Sequence, residues 1–438
     1  MSSRAPNAAP RAELLRRLSL FDVLCIGVNA TVGSGVFALP DDMHAAMGGW
    51  SPLAYVACAL LLLPVALCFA ELSGRFTETG GAYVFARHAF GQQIGFVVGW
   101  FCWAATLIAW AANTTLFFDL LGVAPWPFGK PLGVLSIVLL GAINWFGVKP
   151  GAHVVNLVTI GKLSAIFGFI AVAAFSIDPK RFGGALPHGA LGVGQGVYLA
   201  LFPLQGFEVT PVTAGETANP RRNVPLATAL ALVLSALLFI VVQAALVGSY
   251  PDLARPSEIP LVDAARYLSP TLGVVVLVGG LVSVGGFNAG SALGAPRYAQ
   301  AIAEQGLLPS WLARVHPRWS TPHVAIAVTT GLTAVFAVLS DYRSLVGMSN
   351  LTVCVQYLAA SLALPIVRRR AKPEDPHGFV LPAGLLFGVL GALGSTTLFV
   401  GTTVDAVRRH SYGEFAFGGG ALAVGVVAAL TSRRRTAA

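Results

Sequence analysis

The chain has 438 residues; 55% are hydrophobic and only 11% are Asp, Glu, Lys or Arg, less than half the charged share usual for a soluble domain. That excludes an ordinary water-soluble enzyme, a disordered chain and a coiled coil, and the continuously apolar runs exclude the alternating strands of a β-barrel. The net charge of +9 would suggest nucleic acid in a soluble protein, but here the basic residues sit between apolar runs and read as membrane topology.

An N-terminal segment, 1–19, carries Arg4, Arg11, Arg16 and Arg17, and the apolar run after it is too long for a cleavable signal peptide. Twelve apolar spans are then predicted, at about 20–46, 52–74, 92–120, 131–148, 153–177, 192–216, 225–248, 271–300, 322–340, 344–367, 380–401 and 415–431, with a tail at 432–438. One crossing of a bilayer takes about 20 residues. The expected fold is therefore an all-α polytopic membrane protein of twelve transmembrane helices with almost no domain outside the lipid. With the N-terminus in the cytoplasm, nineteen Lys and Arg fall on the cytoplasmic side and eight on the other. This bias favours both termini inside and membrane lipid as the surrounding partner. The arginine runs at 368–370 and 433–435 read as topology anchors. Lys162 is the one basic residue buried deep within a span, about ten residues into the fifth and so near the midplane.

Two spans are interrupted. The first reads Gly27-Val28-Asn29-Ala30-Thr31-Val32-Gly33-Ser34-Gly35 and continues to Pro40; the sixth reads Phe202-Pro203-Leu204-Gln205-Gly206-Phe207-Glu208. Gly and Pro free backbone groups that hydrocarbon cannot satisfy, so such breaks survive only where they line a cavity or are buried in protein. The breaks lie five spans apart, the spacing of a five-plus-five inverted repeat in which broken helices 1 and 6 form a site near the midplane. The repeats would be 20–178 and 192–367, with helices 11 and 12 in 380–431. The alternative is that Gly33 and Gly35 allow close helix packing and Pro203 only kinks.

Four blocks carry a family resemblance: Gly33-Ser34-Gly35-Val36-Phe37; Glu71-Leu72-Ser73-Gly74-Arg75-Phe76 followed by Gly80-Gly81-Ala82-Tyr83; Gly206-Phe207-Glu208 followed by Gly215-Glu216 and Asn219-Pro220-Arg221; and Gln305-Gly306-Leu307-Leu308-Pro309 with Thr321-Pro322. In this order and spacing, from about 20 to 430, the chain resembles the amino acid–polyamine–organocation (APC) superfamily. That resemblance implies a secondary transporter of amino acids or related amines, of the bacterial inner membrane, with no cofactor.

A free amino acid carries a carboxylate and an ammonium. The second half of helix 1 would begin with unpaired N–H groups of Ser34, Gly35 and Val36, suited to the carboxylate. Carbonyls around Ala30 and Thr31, ahead of Gly33, and those from Phe202 to Gln205 and Gly206, would take the ammonium. By resemblance, Phe202 and Phe287 are gate or side-chain-pocket aromatics, or else ordinary packing. Asn113, a turn from Trp110, contacts substrate or bonds a neighbouring helix. Glu208 carries or senses a proton, or accepts N–H groups freed by the break. Lys162 resembles a fifth-helix lysine of one branch of the superfamily, whose ammonium takes the place of a coupling sodium against the end of the first half-helix; it predicts sodium-independent transport altered by pH. Glu71 is expected to pair with Arg75 or cap a cytoplasmic gate, and Glu216 to end helix 6.

Neutral or small amino acids are favoured, because Glu208 is the one acid near the break. A polyamine or organic-cation carrier is the alternative, then a channel or accessory subunit. The eight histidines are scattered near span ends and make no paired metal motif, and the five cysteines lie in apolar runs as packed thiols. No catalytic or metal constellation is expected, and the chain is not read as an enzyme or a nucleic-acid binder.

Overall fold

The first helix begins at its cap. In the computed structural model, which describes residues 16–78, 80–123, 126–147, 152–371, 378–408 and Gly413, the Ser19 hydroxyl accepts the Asp22 N–H and Asp22 accepts the Ser19 N–H. This reciprocal capping box fixes the start of α1 (Leu20–Thr31). The chain then breaks. Gly35–Ala38 forms a single turn, α2, and Pro40 opens α3 (Pro40–Met47). The predicted span 20–46 is thus three helical pieces.

The rest are α4 (Pro52–Arg75), α5 (Ala82–Phe90), α6 (Gln92–Leu120), α7 (Gly129–Trp145), α8 (Ala152–Ala173), α9 (Gly189–Leu204), α10 (Pro220–Ser249), α11 (Pro260–Leu268), α12 (Pro270–Glu304), α13 (His323–Leu339), α14 (Tyr342–Arg370) and α15 (Gly384–Arg408). A 3₁₀ stretch, Phe207–Glu216, follows α9. The described residues contain no β-strand, only one isolated bridge between Leu18 and Thr217. Counting α1 and α2 together as Leu20–Ala38, eight helices among the described residues are long and apolar enough to cross a membrane, and α7 and α13 are shorter apolar helices. These elements cover the first eleven predicted spans; the twelfth, 415–431, and the tail at 432–438 lie outside the described residues. The short helices α5 and α11 were not among the predicted spans, since nine residues each are too few to cross a bilayer.

Close helix approach is set by small residues. Gly141 of α7 sits against Thr330 of α13, Gly279 of α12 against Ala165 of α8, and Gly394 of α15 against Leu61 of α4. Large apolar side chains such as Leu139, Val278, Val335, Leu386 and Leu393 point outward and exposed. All five cysteines are buried and free. At the end of the bundle where α1 starts, Glu71 is fully buried between Arg75, at 2.8 Å, and Arg368, and also accepts the Leu381 N–H at 2.9 Å. Arg370 donates to the carbonyls of His88 and Ala89. Arg368 and Arg370, read from sequence as anchors, are turned onto protein partners, because the carboxylate and carbonyls freed at helix ends lie within their reach.

Candidate functional site

Thr31 ends α1 with its hydroxyl on the Gly27 carbonyl at 2.9 Å, and the unwound residues lead to the first turn of α2. The other break mirrors this. Gln205 leaves α9 in an extended conformation, and Gly206 follows at φ 124°, a value an L-residue rarely adopts. The two breaks abut. A Cβ on Gly35 would lie 2.6 Å from Pro203 Cγ, and a Cβ on Gly206 would overlap the backbone of Ala30 and Thr31. Each glycine is therefore the contact surface for the other break, which spacing along one helix cannot reveal.

A cavity of about 450 Å³ opens beside them, within the range of small-molecule sites. Thr31, Gly33, Ser34, Gly35, Asn113, Phe202, Gln205, Gly206, Glu208 and Phe287 all line it. Small residues of α6 and α12, among them Ala105, Thr106, Ala109 and Gly290, also line it. The lining continues to Glu216 and Arg297, both exposed, at the end where α1 begins. At the other end the path is closed. Ser34 is fully buried, the Tyr342 hydroxyl donates to Ser34 Oγ at 3.1 Å, and the Phe202 and Tyr342 rings meet edge-on at 6.2 Å. Beyond them Arg343 forks onto Asp42 with two bonds of 3.0 Å.

Val36 and Lys162 lie outside the lining. Val36 is packed in the core. Lys162 is fully buried and donates to Val32 O at 2.6 Å, Asn29 Oδ1 at 2.9 Å and Asn29 O at 3.0 Å. Ser283 of α12 donates to the same Val32 carbonyl at 3.0 Å. The ammonium thus joins α8 to the end of the first half-helix, at Asn29 and at Val32 just after Thr31. It does not act alone. Asn156 Nδ2 reaches Asp22 at 2.7 Å and Thr159 Oγ1 reaches the Cys25 carbonyl at 3.4 Å. Asn156, Thr159 and Lys162 recur every three residues and form one polar stripe along α1, a signal present in the sequence but not singled out there.

Glu208 Oε2 accepts from the Gly206 N–H at 2.8 Å and from the Tyr357 hydroxyl at 2.9 Å, so it serves the broken backbone directly. The Gln205 amide turns to α14, donating to Asn350 at 2.5 Å and accepting from Ser349 at 3.0 Å. Asn113 Oδ1 accepts the Ser34 N–H at 3.0 Å. Among the described residues no group of three or more His, Cys, Asp or Glu is placed to hold a metal ion.

Two broken helices that meet at a cavity closed at one end, inside a bundle of apolar helices, define a carrier of small solutes. The family profile described as Amino acid permease matches residues 18–426, and the chain belongs to that family, within the amino acid–polyamine–organocation superfamily. The family and its named relatives are transporters rather than enzymes. The chain is 26% identical over 396 residues to the branched-chain amino acid permease BcaP of Bacillus subtilis (strain 168), covering 84% of each protein. It is 28% identical over 402 residues to the serine/threonine exchanger SteT of the same organism, covering 88% of this chain and 92% of the exchanger. An uncharacterized transporter of Mycobacterium tuberculosis (strain ATCC 25618 / H37Rv) is 30% identical over 401 residues, covering 83% of this chain and 82% of that one.

Proposed function

We propose that this protein is a sodium-independent, pH- or proton-dependent permease or exchanger of neutral or small amino acids, working by alternating access. The observation that carries the reading is the meeting of the two breaks at the cavity. The start of α2 offers N–H groups and a partial positive charge to a carboxylate. The carbonyls at the ends of α1 and α9 serve an ammonium. Two relatives, one named for branched-chain amino acids and one for serine and threonine, support neutral substrates. Glu208, already engaged by Gly206 and Tyr357, leaves little free acid at the breaks for a polyamine, and Glu216 lies away from them at the exposed end.

The proposed frame is twelve crossings, with helices 1–5 (20–178) and 6–10 (192–367) as inverted repeats and helices 11–12 (380–431) outside them. The proposed membrane is the bacterial inner membrane, with both termini cytoplasmic and lipid against the outward apolar faces. In that orientation the cavity opens to the cytoplasm. Lys162 occupies the place of a coupling sodium, and Glu208 is the second candidate for coupling.

Counterflow in proteoliposomes tests this. Twenty labelled amino acids are screened for saturable accumulation, each beside its decarboxylated amine. Accumulation of one or more neutral amino acids and not of their amines is expected. Equal handling of acid and amine would overturn the reading in favour of the amine carrier, and non-saturable flux would favour a channel.

A further inference from the structure

The first N–H of the second half-helix is already occupied. Asn113, about two turns before the end of α6 and 2% exposed, places Oδ1 3.0 Å from the Ser34 nitrogen. Its amide orientation is fixed by both partners. Ser34 N–H is a donor and needs the amide oxygen; the Ala109 carbonyl is an acceptor and takes Nδ2 at 2.8 Å. A Cβ on Gly33 would stand 3.2 Å from the same Oδ1, so this glycine is what lets the amide come so close. Gly33, Ser34 and Asn113 all face the cavity.

We propose that Asn113 is a built-in stand-in for the substrate carboxylate: its amide oxygen holds the Ser34 N–H until a carboxylate displaces it. This rests on the reading that the carboxylate binds at the start of α2. An amide oxygen is the uncharged counterpart of a carboxylate oxygen and satisfies a buried N–H that would otherwise be costly to leave bare. A carboxylate oxygen makes a charge-assisted bond to the same N–H, roughly twice as strong as that of a neutral amide oxygen, so the substrate wins the exchange. A ligand without a carboxylate leaves Asn113 in place and gains nothing there. Asn113 is then a positioning residue that filters for the carboxylate by competing with it, rather than a side chain that grips the substrate.

The two roles predict opposite results. Full-length protein in nanodiscs would be titrated with L-leucine against isoamylamine and with L-threonine against 1-amino-2-propanol, for wild type, Asn113→Ala and Asn113→Asp. With the competitor removed, Asn113→Ala binds the amino acid at least as tightly as wild type, up to about fivefold tighter, the factor one ordinary hydrogen bond contributes. Asn113→Asp places a permanent carboxylate on Ser34. It weakens amino-acid binding by about tenfold or more, as a charge-assisted bond is roughly twice as strong, and it gains measurable binding of the amine, whose missing carboxylate it supplies. If Asn113→Ala does not fold, Asn113→Ser gives the same reading with a shorter side chain. Loss of amino-acid binding in Asn113→Ala as large as in Asn113→Asp, with no gain of amine binding, overturns the stand-in and makes Asn113 a ligand. Equal binding of acid and amine by the wild type instead overturns the carboxylate reading itself, so the two failures are told apart.

Discussion

Replacing Lys162 with methionine keeps most of the stem and removes the ammonium. Three bonds go with it, to Val32 O, Asn29 Oδ1 and Asn29 O. Bonds from a charged donor contribute about 1.5–3 kcal/mol each, which sets a gross loss of roughly 5–9 kcal/mol by the same measure. The variant also no longer buries a charge, which offsets several kcal/mol of that loss. Val32 O keeps the Ser283 hydroxyl, and Asn29 lines the cavity, where water can reach it. The net cost to the fold is therefore about 1–3 kcal/mol, whereas the tie between α8 and the end of α1 is lost completely. Lys162→Met is expected to purify as a monodisperse protein with a slightly lower thermal midpoint and to lose most of its turnover. The assay is counterflow in proteoliposomes under sodium, potassium or choline, each at two pH values. Wild type should run equally in the three salts and differently at the two pH values. Lys162→Ser leaves the oxygens of Asn29, Val32 and Ser283 facing a space of cation size, and is the variant whose rate sodium should raise. A strict sodium requirement in the wild type would refute the lysine-for-sodium reasoning, and full turnover in Lys162→Met would make Lys162 a bystander.

The two glycine contacts should rank. In Gly206→Ala the new methyl meets backbone at φ 124°, where strain of about 1–2 kcal/mol adds to overlap of about 1–3 kcal/mol; in Gly35→Ala it meets Pro203 in helical geometry, so only the overlap remains. Thermal midpoints and binding should fall further for Gly206→Ala, and a reversed order would be inconsistent with the abutting breaks. Glu208→Gln keeps an acceptor for Gly206 and Tyr357, so the protein should fold while its pH dependence of transport flattens; an unchanged profile returns Glu208 to a purely structural role. Glu71→Gln breaks a buried ionic cluster with Arg75 and Arg368, and a loss of about 3–5 kcal/mol in stability is expected, read as a large drop in thermal midpoint. The exposed fork of Arg343 on Asp42 is worth about 1 kcal/mol or less; Asp42→Arg with Arg343→Asp should restore the exchange rate that either single change alters, and absence of coupling in that cycle would remove it as a latch.

Much of the site was legible because breaking a helix is local chemistry. Gly33, Gly35, Pro203 and Gly206 interrupt their own helices wherever these pack. The breaks fall where the sequence places them, and ten of the named residues reach one cavity. What each freed group bonds to was less legible. The sequence leaves Asn113 as a substrate contact or a bond to a neighbouring helix, but that its oxygen takes the Ser34 N–H depends on how α6 lies against α2. Tyr342 gave no signal at all, being one tyrosine at a helix start. Arg368 sits in a run of three arginines, and only the packing of α4 against α14 and α15 turns it onto Glu71.

The amino-acid sequence by itself determined that the chain is a helical membrane carrier of the amino acid permease family with two interrupted helices. Apolar run length and the unsatisfied backbone at Gly and Pro are properties of each segment alone. The tertiary structure decided which break faces which, with Gly35 on Pro203 and Gly206 on Ala30 and Thr31. It also decided that Lys162 is held by Asn29 and Val32, and that the cavity opens at one end and is shut by Tyr342, Phe202 and Arg343 at the other. A buried donor must find an acceptor, but which one it finds depends on the helix faces that packing brings together.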